Sequence, residues 1–464
     1  MNEIGKTRES LLTGALRTLL TSFRQPLAGH AAVLALSQYF AAGMGLLTVI
    51  VATRILGPEE YGVAALAIAY PTLLWAFVSF KPISVLTRYL SSFREEGRRE
   101  EVLSVCKAGF GLDFLTAAAV VAVILASARP VAQRIYHVTE VETLILLYAA
   151  AMPFYALLGT SAAVLTSFRR FRVLALLHVA ESTLTFGLVM GLLLAEPSAK
   201  GLVLGTAAGQ AIAGVLMFVA AQLALVSEGQ GSWWRARLGK IASLRGEMTK
   251  SLAWNYLLVS AAGALQQVPI LLLGRIRGPE EAGHYRLAML LMTTGNYLET
   301  ALANVAYPTL SAQWGRAAWG RVREQLRAWT LREGLLAGLL LLVSVPLLRW
   351  LVPAVFGREF EPMVSGAQML IAAGAVSACY FWLNPCFYAS GRIAFWAKAY
   401  TVQVVAVMVA AWVLAGVSGF PGVAAAVAAG RVAFVLLLAE IARRALAREC
   451  APTTPQAVTD GSRP

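Results

Sequence analysis

Twelve runs of apolar residues, separated by polar or glycine-proline breaks, set the rhythm of the chain. They lie near residues 34–56, 62–82, 103–127, 142–166, 173–195, 201–226, 252–274, 284–310, 331–352, 363–389, 394–416 and 422–442. Each is close to the roughly 20 helical residues that a hydrocarbon core requires, so the pattern predicts twelve transmembrane helices. Upstream, residues 4–25 place Leu12, Leu16, Leu19 and Phe23 on one helical face, with Lys6, Arg8, Arg17 and Arg24 nearby. That arrangement suits either a helix lying on the membrane surface or a frayed basic tail.

One stretch occurs twice. Residues 54–68 read R-I-L-G-P-E-E-Y-G-V-A-A-L-A-I, and residues 275–289 read R-I-R-G-P-E-E-A-G-H-Y-R-L-A-M. In register, Arg275 falls on Arg54, Gly278-Pro279-Glu280-Glu281 on Gly57-Pro58-Glu59-Glu60, and Gly283 on Gly62. Each copy separates two apolar runs at the same place in its half, as duplication of a membrane unit leaves behind. Gly57 and Gly278 can end a helix in a left-handed conformation, and Pro58 and Pro279 fit the first position of the helix that follows. The glutamates then stand in a first turn, and the arginines in a closing turn, each where the helix dipole favours its charge.

The repeat divides the chain into a segment 1–33, a six-span bundle 34–226, a basic linker 227–250, a second six-span bundle 251–445 and a tail 446–464 without apolar periodicity. With an even number of spans per half, the halves share one orientation and should be related by an axis along the membrane normal. The predicted fold class is therefore an all-α polytopic membrane protein, with two pseudo-symmetric six-helix bundles enclosing a central cavity.

Composition agrees with this reading. The chain of 464 residues is 58% hydrophobic and 14% charged, with a mean hydropathy of +0.67. That is too apolar for an ordinary soluble protein. The formal charge of +14 is spread over short blocks between apolar runs, which argues against a nucleic-acid-binding face. Those blocks alternate. One set of connections carries Arg88, Arg94, Arg98 and Arg99, then Arg169, Arg170 and Arg172, and continues through the linker to Arg443 and Arg444. The intervening connections are poor in Lys and Arg, so the positive-inside rule puts both termini in the cytoplasm. The four cysteines lack metal-ligand spacing, and Cys379 and Cys386 are too far apart along a helix for a disulfide. The scattered histidines suggest no metal site, and no cofactor is expected.

The signature R-I-L-G-P-E-E-Y-G after the first span, R-R-F-R after the fourth and A-Y-P-T-L-S closing the eighth resemble the Wzx-type oligosaccharide flippases. These form the polysaccharide transport branch of the multidrug/oligosaccharidyl-lipid/polysaccharide (MOP) exporter superfamily. The resemblance implies a protein of the bacterial inner membrane, with no enzymatic activity. Its cargo would be a polyprenyl-diphosphate-linked oligosaccharide, moved from the inner to the outer leaflet by alternating access, and its partners membrane lipids and other polysaccharide-assembly proteins. A cation-coupled drug exporter of the same superfamily and a lipid II flippase are the alternatives. Lipid II flippases usually have two further spans. A membrane glycosyltransferase or polymerase would want clustered acids or histidines in sizeable external loops, which this sequence does not offer.

With an anionic diphosphate as cargo, the arginines acquire a second reading. Arg54 and Arg275, at symmetry-related positions near the outer mouth, could share a diphosphate between two guanidinium forks. Lys107, Arg286 and Arg431 fall within spans, where a charge is costly unless it faces a cavity or a partner, and are further cargo ligands. Lys81 and Arg88, at the inner end of the second span, are ligands for a phosphate arriving from the cytoplasm or anchors of topology. Asp113, Glu181 and Glu299 are the candidates for coupling to a proton or sodium gradient. An interhelical ion pair, such as Asp113 with Lys107, is the competing reading. Aromatic residues flanking Asn384-Pro385 stand beside an expected helix bend and could stack on sugar rings. Trp233, Trp234, Trp314 and Trp319 suit an interfacial belt.

Overall fold

The computed structural model describes residues 26–79, 83–239, 245–316 and 318–449. Residues 4–25, expected as either a membrane-surface helix or a frayed basic tail, and the residues after Glu449 lie outside them. The helices in order are α1 (Pro26–Val78), α2 (Ile83–Glu95), α3 (Arg99–Pro130), α4 (Glu140–Ser167), α5 (Phe171–Ala195), α6 (Ala199–Ser227) and α7 (Arg245–Ile276). They continue with α8 (Pro279–Gly315), α9 (Trp319–Trp329), α10 (Leu335–Val355), α11 (Val364–Cys379), α12 (Leu383–Ala389) and α13 (Ile393–Glu449). No strand occurs among the described residues.

Among the described residues, nine helical segments are long and apolar enough to cross a membrane. Two of them, Val33–Val78 with 46 residues and Ile393–Ala447 with 55, are about twice the length one crossing needs. Each is interrupted by one glycine, Gly57 at φ 71°, ψ 179° and Gly419 at φ 62°, ψ −140°. Both lie in the breaks expected between neighbouring apolar runs, and the conformation of Gly57 is open essentially only to glycine. Gly278, its counterpart in the repeat, has φ 98° and separates α7 from α8. The eighth expected run lies in α8, which is not one of the nine, since Arg286 and Glu299 dilute its apolar character. The tenth run is divided between α11 and α12, with the break at Tyr380–Trp382, just before Pro385.

Two compact units emerge. One extends to Gly283 and takes in Val355–Glu359; the other holds His284–Ala354 and the chain from Phe360. In the first, α4 packs on α3 and α6, and α1 packs on α5 and α7. Helix α7 runs antiparallel to the second arm of α1, with Gly274 beside Leu66 and Gly263 beside Ala76. Gly201, Gly205 and Gly209 form one face of α6, which lies against Leu192, Val189 and Thr185 of α5. A Cβ on Gly205 would stand 2.7 Å from the Cα of Val189. Glycines four apart let helix backbones approach in lipid, where van der Waals contact drives association.

The basic connections of this unit gather at one end. Arg94 donates to the Ser167 carbonyl at 3.0 Å and pairs with Glu228 at 3.4 Å, and Arg170 pairs with the same carboxylate at 3.3 Å. The expected alternation of charge therefore appears as spatial clustering. The first part of the linker is held there too. Lys107 donates to the Ala236 carbonyl at 2.8 Å, Ser104 to that of Arg237 at 3.0 Å and Arg99 to that of Gln230 at 2.6 Å. Trp233, read from sequence as part of an interfacial belt, instead packs on Phe110 with ring centroids 4.9 Å apart and donates to Gln222 at 2.8 Å. Trp233→Ala should lower stability by about 1–2 kcal/mol, the combined scale of one aromatic pair and one hydrogen bond. Thermal unfolding in detergent measures this; an unchanged melting temperature would show that the linker is not held by its tryptophan.

In the second unit α11 and α12 pack against α13. Phe381, Trp382 and Phe387 are buried with Leu310, Leu326 and Leu438. Phe381, Trp382 and Phe387 thus form core rather than a sugar platform, while Tyr388 is half-buried, and Trp382 donates to Thr330 at 2.8 Å.

Candidate functional site

Polar groups inside the apolar helices are the places where chemistry can be held, and each unit has its own. In the second unit, α8 presents Asn296 and Glu299 one turn apart, and α13 presents Arg431 toward them. The Nη2 of Arg431 donates to Asn296 Oδ1 at 2.9 Å and to Glu299 Oε2 at 2.8 Å. Ser377, buried on α11, donates to the same carboxylate oxygen at 3.0 Å. From Gly419 to Arg431 the helix rises about 18 Å at 1.5 Å per residue, so the guanidinium stands well inside a core of roughly 30 Å.

This pair is not sealed in the core. The side chains of Arg431 and Glu299 retain 17% and 28% of their accessible surface. One nitrogen, Nη2, serves both protein partners, and Nε and Nη1 of Arg431 donate to no partner among the described residues. The guanidinium can thus accept a further oxyanion without giving up its fixed geometry.

In the first unit, Asp113 of α3 is buried and accepts a hydrogen bond from Thr160 of α4 at 2.5 Å. The pairing of Asp113 with Lys107 considered from sequence is not formed, because Lys107 is turned to the linker carbonyl of Ala236. Glu181 is half-buried on α5.

Where the repeated stretches lie, the cap-and-turn chemistry is visible. Arg54 is exposed and donates from Nε to the carbonyl of Val355, the last residue of α10, at 2.7 Å. This is the helix end at which a cation is favoured. Glu60 accepts the backbone N–H of Ala199, the first residue of α6, at 2.7 Å, so a side chain of the repeat caps a third helix. The weakly charged connections thereby meet at one end of the first unit. Arg275 is exposed at the close of α7.

Arg286 is half-buried, two residues past the start of the second unit. Arg88 is exposed, with its guanidinium 5.7 Å from the Tyr89 ring, and Lys81 lies outside the described residues. Of the cargo arginines expected from sequence, Arg431 is hydrogen-bonded to an expected coupling acid, Glu299. Asn296 and Ser377, which complete the cluster, are not among the site residues expected from sequence. The i, i+3 spacing of Asn296 and Glu299 was the available signal. Among the described residues no group of acids, histidines or cysteines could hold a metal ion.

A family profile described as "Polysaccharide biosynthesis protein" matches residues 27–314. No curated protein sequence matches the chain. Among solved structures, the chain is similar to a multidrug resistance MATE family transporter of the MOP superfamily in its inward-facing conformation. The TM-score is 0.68 at 12% identity, over 90% of this chain and 94% of that one. The lipid II flippase MurJ in an inward closed conformation gives 0.65 at 13% identity, over 90% of each chain. The eukaryotic MATE transporter AtDTX14 gives 0.63 at 14% identity, over 92% of this chain and all of that one. Identities this low carry the fold, and the fold is that of the MOP superfamily.

Proposed function

Because the chain belongs to the polysaccharide biosynthesis protein family, we propose that this multi-pass membrane protein is a flippase for a polyprenyl-diphosphate-linked oligosaccharide. It would carry that cargo from the inner to the outer leaflet of a bacterial inner membrane, with both termini cytoplasmic, in the building of a surface polysaccharide. The observation that carries this reading is Arg431. A guanidinium at mid-depth, oriented by Asn296 and Glu299 and with donors to spare, suits a diphosphate better than it suits an uncharged or cationic solute.

In the cycle we propose, the head group enters a water-accessible cleft while the polyprenyl tail stays in lipid. Arg431 takes a phosphate oxygen, and a change between inward- and outward-open states delivers the cargo across. Glu299 links that event to charge. A cation bound at its carboxylate would weaken its hold on Arg431 and free the guanidinium for phosphate. Arg54 and Arg275 would serve release, Arg286 would add positive charge along the path, and Lys81 and Arg88 would serve loading. Asp113 and Glu181 remain the proposed coupling acids of the first unit.

The buried carboxylate of Asp113 supports a second reading, a cation-coupled exporter of small molecules. Purified protein in proteoliposomes decides between them. We expect it to move a fluorescent polyprenyl-diphosphate oligosaccharide between leaflets and to leave a cationic dye gradient unchanged. Dye extrusion without lipid-linked flipping would overturn the proposal in favour of the exporter.

A further inference from the structure

The second unit contains a cavity of about 950 Å³ at its basic end. Arg323 and Arg327 of α9 line it one helical turn apart, with Leu331, Trp382, Leu436 and Arg443 completing its wall. The two α9 arginines are exposed and make no ion pair or hydrogen bond among the described residues. Arg443, by contrast, is already held by Glu440 at 2.8 Å, a carboxylate that also binds Arg444 at 2.6 Å. One further carboxylate, Glu324, shares the rim. The available charge is therefore two guanidinium groups against one acid.

The other wall is apolar and continues into a surface made for lipid. Leu331 is 55% and Leu436 47% exposed, and beyond them Leu335, Leu339 and Leu437 are exposed as well. A cationic rim over an apolar floor that opens onto lipid-facing leucines matches an amphiphile with an anionic head. It does not match a soluble anion, which would gain nothing from the leucines. A volume of this size would also leave a lone phosphate rattling.

We propose that this cavity is a binding site for an anionic membrane phospholipid, its phosphate held by Arg323 and Arg327 and its acyl chains lying along Leu331 and Leu436. The site belongs to one unit and does not depend on the cargo assignment. It gives the basic connection between α8 and α10 a specific ligand in place of general attraction to the membrane surface.

Native mass spectrometry of the full-length protein tests this, with phosphatidylglycerol and phosphatidylcholine as probes. Wild type should retain phosphatidylglycerol preferentially. Retention should weaken about tenfold in Arg323→Ala/Arg327→Ala, since charge-assisted hydrogen bonds are lost. The control is Arg316→Ala/Arg321→Ala, which removes the same charge from the same connection outside the cavity and should bind as wild type does. Equal losses in the two double variants would overturn the site and leave only diffuse electrostatics. A short-chain polyprenyl diphosphate added in competition separates the sources of phosphate. Displacement of phosphatidylglycerol at equimolar competitor would assign the cavity to the cargo and overturn the phospholipid proposal; no displacement supports it.

Discussion

Arg431→Ala is expected to reduce flipping of a polyprenyl-diphosphate oligosaccharide about 30-fold, equivalent to about 2 kcal/mol of lost phosphate binding. The figure is set below that of a fully buried ion pair because the pair keeps part of its surface accessible. Removing the guanidinium also leaves Glu299 to the Ser377 hydroxyl, so the single variant loses stability as well as a ligand. The double variant Arg431→Ala/Glu299→Gln separates the two effects. It removes the uncompensated charge and should regain most of the thermal stability while flux stays low. Arg431→Lys keeps a positive charge but cannot reach Asn296, Glu299 and a phosphate in one planar geometry, and should retain an intermediate rate. Glu299→Gln alone keeps hydrogen-bonding capacity and loses the charge. It should permit exchange down a cargo gradient and abolish its dependence on an imposed cation gradient. Wild-type flux in a well-folded Arg431→Ala protein would remove Arg431 from the cargo path.

That cluster was half legible in the sequence. Charge at Arg431 and Glu299 was readable because a span tolerates few ionisable groups, so each announces itself. Their pairing was not, since it joins positions 132 apart and depends on the rotation of α8 and α13 about their axes, which hydropathy does not encode. Lys107 shows the reverse case. It was read as intramembrane, yet it reaches a linker carbonyl, and a backbone acceptor leaves no trace in side-chain chemistry. The repeat was most informative where local geometry governs. The breaks at Gly57 and Gly278 follow from residue type alone. The Gly201, Gly205 and Gly209 stripe was equally open to reading, because spacing by four is a sequence property. The division of the tenth run near Pro385 was anticipated, whereas the burial of its aromatics required knowing that α13 and Leu326 lie over them.

The duplicated stretch makes the other strong prediction, because its two copies meet. A Cβ on Gly62 would collide with the carbonyl oxygen of Pro279. A Cβ on Gly283 would lie 2.7 Å from the carbonyl oxygen of Pro58 and 3.1 Å from the Cα of Gly62. The contact is reciprocal: the glycine of each copy faces the proline of the other. At both sites the opposing atoms include backbone near the start of a helix arm, which cannot rotate away as a side chain can. Gly62→Leu should therefore destabilise the protein by about 3 kcal/mol or more, beyond ordinary overpacking, and Gly283→Leu by a similar amount. The two losses should fall short of additive in the double variant, since the first wedge already separates the surfaces that the second would strike. Gly43→Ala supplies the control. Its Cβ meets nothing within 4 Å, and alanine in a helix should hold or raise stability by about 0.5–1 kcal/mol. Melting curves in detergent read all four proteins. If Gly62→Leu melts with wild type, the helix starts do not touch, and the repeat's glycines at 62 and 283 owe nothing to the meeting of its copies.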